Sequence, residues 1–374
     1  MIQREKLRNC HRVVIKVGTS SVTHDSGKLN LLRLENLARE VSDLHSDDRN
    51  VSLISSGAVG AGVGKIHFPD RPKTIPEKQA LAAIGQGRLM HMYEKFFSEY
   101  GKTVAQVLLT RDVFANRLRY LNARHTLLTL LDFGVIPIIN ENDTVAVDEI
   151  KFGDNDTLSA LVACLIDADL LIILSDIDGL YSDDPRTNPD AQLLPVVSEI
   201  TNNMIAHSRS RGSKLSSGGM FTKLTAAKIA MTSGIPMVIA NNKEQNVLRR
   251  IVAGESLGTL FVPSREPVQG RKQWIAFGSS PHGSIVIDQG AVEAILKRGK
   301  SLLPSGVVEV EGGFSRGDVV SIISPEGSEI ARGMVNFSAD EISILAGHHT
   351  DEIGELLGSI DYDEVVHRNN LALI

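Results

Sequence analysis

Two rhythms of hydrophobic positions alternate along most of this chain. Short apolar, largely β-branched runs at residues 12 to 17, Val51 to Ile54, Val104 to Leu109, Val135 to Ile139, Leu170 to Leu174 and Pro236 to Ile239 predict strands, with another near Leu260. Between them Leu31, Leu34, Leu37, Val41 and Leu44 recur at helical spacing with charged residues in the gaps, which predicts an amphipathic helix over 30 to 46. Further helices are expected from Pro76 to Tyr100, from Asn122 to Asp132 before Gly134, and from Thr157 to about Asp167. Two more are expected over Lys223 to Thr232 and about Gln245 to Ile251. Strands alternating with helices imply an α/β fold, a mainly parallel open sheet sandwiched by helices. In such sheets ligands collect outside the carboxyl ends of the strands.

The rhythm changes after residue 263. Residues 264 to 280 hold Pro267, Gly270, Gly278 and the only tryptophan, Trp274, and read as a linker. Beyond it strands are short and glycines frequent: Ser284 to Asp288, Gly306 to Glu311, Val319 to Ser324 and Gly333 to Val335, with one helix from Gly290 to Lys297. The expected organisation is therefore residues 1 to 263, a linker over 264 to 280, and a small β-rich domain over 281 to 374. At 374 residues the chain is longer than one hydrophobic core usually supports.

Charge sharpens this division. Residues 281 to 374 carry 6 Lys or Arg against 15 Asp or Glu, a balance of -9, whereas the first 280 carry +3. The tail repels phosphates and the front does not. Cys10 and Cys164 lie far apart and in no metal-ligand spacing, so both read as reduced thiols of a cytoplasmic protein. The charged start Met-Ile-Gln-Arg-Glu-Lys and the lack of a long uncharged stretch point to neither a signal peptide nor a membrane span.

Four polar or small-residue loops carry the candidate chemistry, and each follows a predicted strand or opens a predicted helix. Lys16 interrupts an apolar strand just before Gly18-Thr19-Ser20-Ser21. It is either a lysine snorkelling from a strand edge or a cation held beside phosphate-binding amides. The loop from Ser55 to Gly64 offers free amides at a helix start, although glycines also serve close packing. Residues 140 to 157 run Asn-Glu-Asn-Asp-Thr-Val-Ala-Val-Asp-Glu-Ile-Lys-Phe-Gly-Asp-Asn-Asp-Thr between two apolar segments. They read either as a solvated loop ending in a helix cap at Asp156 or as a binding loop. Lys223 closes Ser216-Ser217-Gly218-Gly219-Met220-Phe221-Thr222, in a first helical turn whose dipole disfavours a cation unless an anion is near. A P-loop is excluded because Phe96 stands where Gly101-Lys102-Thr103 would need a glycine, and no G-x-G-x-x-G is present.

In this order Lys16-Val17-Gly18-Thr19-Ser20, Ser55-Ser56-Gly57-Ala58, Asn140-Glu141-Asn142-Asp143, Gly153-Asp154-Asn155-Asp156, Ser175-Asp176-Ile177-Asp178-Gly179-Leu180-Tyr181 and Gly218 to Lys223 resemble the amino acid kinase family. Within the family they are most similar to the members that phosphorylate free glutamate. Gly306-Val307-Val308-Glu309-Val310 and Phe314-Ser315-Arg316-Gly317-Asp318 resemble a PUA domain. The resemblance implies transfer of a phosphoryl group from ATP to the γ-carboxylate of L-glutamate, the first step of proline biosynthesis. It implies that Lys16, Lys223 and Asp156 are catalytic, with Asp156 holding the lysines. Lys16, Ser175, Asp176, Ser217, Gly218, Gly219, Met220, Phe221, Thr222 and Lys223 would bind ATP. Ser56, Gly57, Asp143 and Asn155 would bind glutamate. Ser175 stands where relatives often carry threonine, a change that keeps the hydroxyl.

The same resemblance implies Mg2+ carried on the nucleotide phosphates, with no metal site of the protein's own. It further implies feedback inhibition by proline, a homo-oligomer (dimer or tetramer), and hand-over of product to glutamate-5-semialdehyde dehydrogenase. Two other readings compete: another family member acting on acetylglutamate or aspartate, and an RNA-binding protein acting through the PUA-like domain. The charge of -9 in that domain speaks against nucleic acid, because RNA affinity rests on neutralising phosphates.

Overall fold

The computed structural model describes residues 2–24, 26–69, 72–146, 155–185, 187–201, 204–205, 208, 219–263, 275, 281–358 and 362–374. The chain separates into two compact units, Met1–Val113 with Arg117–Pro267, and Val268–Ile374 with Phe114–Asn116. Apart from Ile275, the expected linker lies outside the described residues.

The first unit is built on an eight-stranded sheet in the order β3-β4-β2-β1-β5-β7-β8-β6. Its strands are β1 (Arg12–Val17), β2 (Asn50–Ser55), β3 (Val104–Leu109), β4 (Ile136–Glu141), β5 (Leu170–Ser175), β6 (Val196–Val197), β7 (Met237–Asn241) and β8 (Thr259–Phe261). All pairs are parallel except β7 with β8. The helices are α1 (Ile2–Glu5), α2 (Thr19–Val22), α3 (Leu31–Ser46), α4 (Ala58–Ile66), α5 (Ile75–Glu99), α6 (Arg111–Ala115), α7 (Arg117–Asp132), α8 (Asn155–Leu165), α9 (Met220–Thr232) and α10 (Val247–Val252).

Alternation along β1 decides what each face meets. Val13, Ile15 and Val17 join a core with Leu34, Val41 and Leu44 of α3, Leu89, Tyr93 and Phe97 of α5, and Leu248 and Ile251 of α10. Lys16, out of phase with them, points to the opposite layer and pairs with α8. Because β1 lies between β2 and β5, Lys16 is on a central strand and only 4% exposed. The strand-edge alternative for it therefore fails.

Most glycines of the second small-residue loop are helical. Gly57 alone needs a left-handed turn, at φ 103°, and α4 starts directly after it. A Cβ on Gly62 would stand 2.0 Å from the Leu81 carbonyl oxygen, and one on Gly85 would stand 1.8 Å from that of Ala58. Gly62 and Gly85 thus let α4 and α5 pack backbone to backbone. Gly85→Ala is expected to destabilise the protein by roughly 3 kcal/mol, near the top of the usual overpacking range, as read by urea unfolding.

The second unit holds β9 (Ser284–Ile287), β10 (Val307–Glu311), β11 (Val319–Ile323), β12 (Glu329–Met334) and β13 (Leu371–Leu373), ordered β10-β9-β11-β12-β13. Ile285, Ile287, Val320, Ile322 and Ala331 form its core with Val292 and Ile295 of α11 (Gln289–Arg298). Two helices beyond the single one expected are present, α12 (Ala339–Leu345) and α13 (Ile353–Leu357). The first starts from a capping box in which Ser338 and Glu341 bond each other's backbone N–H groups.

Candidate active site

The sheet brings the carboxyl ends of β1, β2, β4 and β5 side by side, with Val17 opposite both Ser55 and Leu174. At this edge the last carboxylate of the polar loop, Asp156, is fully buried in the first turn of α8. The position differs from the expected cap: the residue lies inside the helix, and its side chain reaches away to two lysines. Asp156 Oδ1 is 2.5 Å from Lys16 Nζ and Oδ2 is 3.2 Å from Lys223 Nζ. Thr222 Oγ1 also donates to Oδ2, at 2.9 Å.

This cluster sets two cations against one anion, with Lys16 and Lys223 only 4% and 6% exposed. A buried charge is tolerated when it is paired and hydrogen-bonded. Asp156 does this for both lysines, so that among the described residues two ammonium groups share one carboxylate. The turn after β1 shares the same space, since a Cβ on Gly18 would lie 3.8 Å from Lys16 Nζ. Such a site is built to receive an anion. Lys223 enters it from the first turn of α9, which Gly219 opens.

A second group lies beside the first, because Asn155 precedes Asp156 on α8. Asn155 Nδ2 donates to Ser56 Oγ at 2.8 Å and to Asn140 Oδ1 at 2.9 Å. Ser56 follows β2, and Asn140 is in β4. Behind Ser56, the Ser55 hydroxyl lies 2.7 Å from the Tyr93 hydroxyl, and burial pushes the Tyr93 pKa up. Asp143 is half-buried on the turn that follows β4, where Val145 N–H and Ala146 N–H both donate to the Asn142 carbonyl. Gln79 of α5 steadies this turn by donating to the Ala146 carbonyl at 3.2 Å.

Ser175 ends β5 and its hydroxyl donates to Asp176 Oδ1 at 3.1 Å. Met220 and Phe221 are half-buried at the start of α9. Ser217 and Gly218, and the stretch from Val147 to Asp154, lie outside the described residues. The motifs did not reveal Gln86, whose Oε1 accepts from Asn140 Nδ2 at 3.0 Å. It comes from the middle of α5, 54 residues away in sequence, and no local pattern marks it.

Both cysteines are free and buried. Burial holds each thiol up at about 12, Asp169 adding to the effect at Cys10, so neither is a nucleophile at neutral pH. Among the described residues no group of three or more His, Cys, Asp or Glu is arranged to hold a metal ion.

Residues 11–241 match the model of the amino acid kinase family, and residues 283–357 match that of the PUA domain. The glutamate 5-kinase of Caldanaerobacter subterraneus subsp. tengcongensis is 54% identical over 97% of this chain and 98% of its own length. That of Moorella thermoacetica is 54% identical over the whole of both chains. That of Geobacter sulfurreducens is 51% identical over 98% of this chain and 99% of its own. Among solved structures, the UMP kinase of Bacillus anthracis is 20% identical and covers 70% of this chain at a TM-score of 0.49, a likeness too loose to add to these. A family match over more than half of the chain and relatives above 50% identity along its length leave one assignment: the chain belongs to the amino acid kinase family.

Proposed function

We propose that this chain transfers the γ-phosphoryl group of ATP to the γ-carboxylate of L-glutamate, giving L-glutamyl 5-phosphate and ADP, the first step of proline biosynthesis. The observation that carries the reading is the buried pair of lysines held by one carboxylate, beside the Asn155, Ser56 and Asn140 group. Near full-length identity to glutamate 5-kinases supports free glutamate as the acceptor.

The mechanism needs little covalent chemistry from the protein. A γ-carboxylate is ionised at neutral pH, so the nucleophile is ready without a general base. What the reaction needs is relief of negative charge as the phosphoryl group passes between two oxygens. Lys16 and Lys223 supply it, and Asp156 fixes where their ammonium groups sit. Ser175, Asp176 and the segment from Ser217 to Lys223 hold the nucleotide. Ser56, Gly57, Asp143 and Asn155 hold glutamate, the Asp143 carboxylate facing its α-ammonium group. Asp156 is already engaged by both lysines, so Mg2+ would be held by the phosphate oxygens of the nucleotide, whose charge it would neutralise.

An ATP-dependent hydroxamate assay across glutamate, acetylglutamate and aspartate tests the reading. Preference for glutamate supports it, and preference for either of the others defeats it. Asp143→Ala is expected to raise the KM for glutamate by roughly a hundred-fold, as loss of a charged hydrogen bond does, while the KM for ATP stays within about two-fold.

The reading extends beyond the site. Proline is a feedback inhibitor that competes with glutamate on this reading, and inhibition curves against glutamate test it. The labile acyl phosphate goes on to glutamate-5-semialdehyde dehydrogenase. The working division is a kinase domain over 1 to 263, a linker over 264 to 280 and a PUA-like domain over 281 to 374. Self-association as a dimer or tetramer is readable by light scattering. No described helix is long and apolar enough to cross a membrane.

A further inference from the structure

The hydrogen bonds around Asn155 run in one direction. Both of its Nδ2 hydrogens are committed, one to Ser56 Oγ and one to Asn140 Oδ1, so what Asn155 can offer a substrate is its Oδ1 acceptor. Asn140 can present Oδ1 to Asn155 only while its own Nδ2 points the other way. That Nδ2 donates to Gln86 Oε1 at 3.0 Å. Asn140 is 3% exposed and Asn155 8%, so water does not stand in for a lost partner at either amide. If Asn140 turned over, its Nδ2 would face that of Asn155, donor against donor, and a buried donor without an acceptor is costly.

We propose that Gln86 is a positioning residue that sets the polarity of the amino-acid site. By accepting from Asn140, it keeps Asn140 Oδ1 on Asn155, and Asn155 thereby turns an acceptor toward the bound substrate. An acceptor at that place suits an amino-acid substrate with a free ammonium group, which donates hydrogen bonds and accepts none. The proposal rests on the reading that Asn155 contacts the amino-acid substrate. Gln86 acts through two other side chains, and its effect belongs to substrate binding rather than to the phosphoryl-transfer step.

Gln86→Met keeps the length of the side chain and removes the strong acceptor. It is expected to raise the KM for glutamate by roughly ten-fold, the worth of one buried amide hydrogen bond. The KM for ATP, and kcat at saturating glutamate, stay within about two-fold. Gln86→Ala, which removes the same acceptor and favours the helix, is measured beside it, with melting curves on both. The decisive arm is a double-mutant cycle with Asn155→Ala, because two residues on one path do not act additively. In the Asn155→Ala background, Gln86→Met changes the KM for glutamate by less than about two-fold. An unchanged KM in the single variants, a parallel rise in both KM values, or full additivity in the cycle would overturn the proposal. Wild-type turnover is the separate control: an enzyme that prefers another amino acid defeats the functional reading, and the cycle is then run on that substrate.

Discussion

Lys223→Ala removes phosphoryl transfer, lowering kcat by roughly a thousand-fold or more, while the protein stays folded. The loss follows from what the lysine supplies. Preorganised charge at the transferring group is commonly the largest single catalytic contribution, and one donor alone is worth a hundred- to a thousand-fold, roughly. Survival of the fold follows from what Asp156 keeps. With Lys223 gone, Asp156 keeps Lys16 at 2.5 Å, so the buried carboxylate still has a cation beside it. The stability cost should remain within about 2 kcal/mol, as for an ordinary point substitution. Steady-state turnover and a urea melt check both halves. Near-normal kcat would remove Lys223 from the centre.

Asp156→Ala is the opposite case, in which activity and stability fall together. The carboxylate is fully buried and accepts from Lys16, Lys223 and Thr222. Without it two ammonium groups face each other in a site nearly closed to water. Removing one partner of a buried ion pair costs roughly 3–5 kcal/mol, because the remaining charge is left uncompensated. The variant should therefore melt well below both wild type and Lys223→Ala and should show no turnover. A stability equal to that of Lys223→Ala would mean that Asp156 is not what holds the lysines.

The sequence made the sheet legible because its central strands are uninterrupted apolar runs. The limits of β3 coincide with the expected Val104 to Leu109, and β5 differs by one residue. The start of α7 lies five residues before the expected Asn122, since Arg117 to Leu121 shows no apolar periodicity. Strand β6, two residues long, leaves no pattern to find. The capping box at Ser338 was readable as Ser-Ala-Asp-Glu, but the short helix behind it carries too few turns to show a period. Gly62 stayed open between two readings for a physical reason: a glycine that opens an anion-binding turn and one that lets two helices touch look alike in sequence, and only the position of Leu81 separates them.

Parts of the site were legible in the same uneven way. Lys16, Asn155, Asp156 and Lys223 stood out because polar residues beside apolar runs and small-residue turns are conspicuous. Their convergence on Asp156 depends on strand order, which places β1 between β2 and β5 and α8 across them. Gln86 was invisible because it is a neutral residue on a long helix, with a partner brought close only by the packing of α5 near β4.

The most direct test is a crystal structure of the protein with L-glutamate and a non-hydrolysable ATP analogue. The account predicts the γ-carboxylate and the terminal phosphate meeting between Lys16 and Lys223, the α-ammonium group at Asp143, and Asn155 turning Oδ1 to the amino acid. Glutamate bound away from Ser56 and Asn155, or a terminal phosphate out of reach of both lysines, would contradict it.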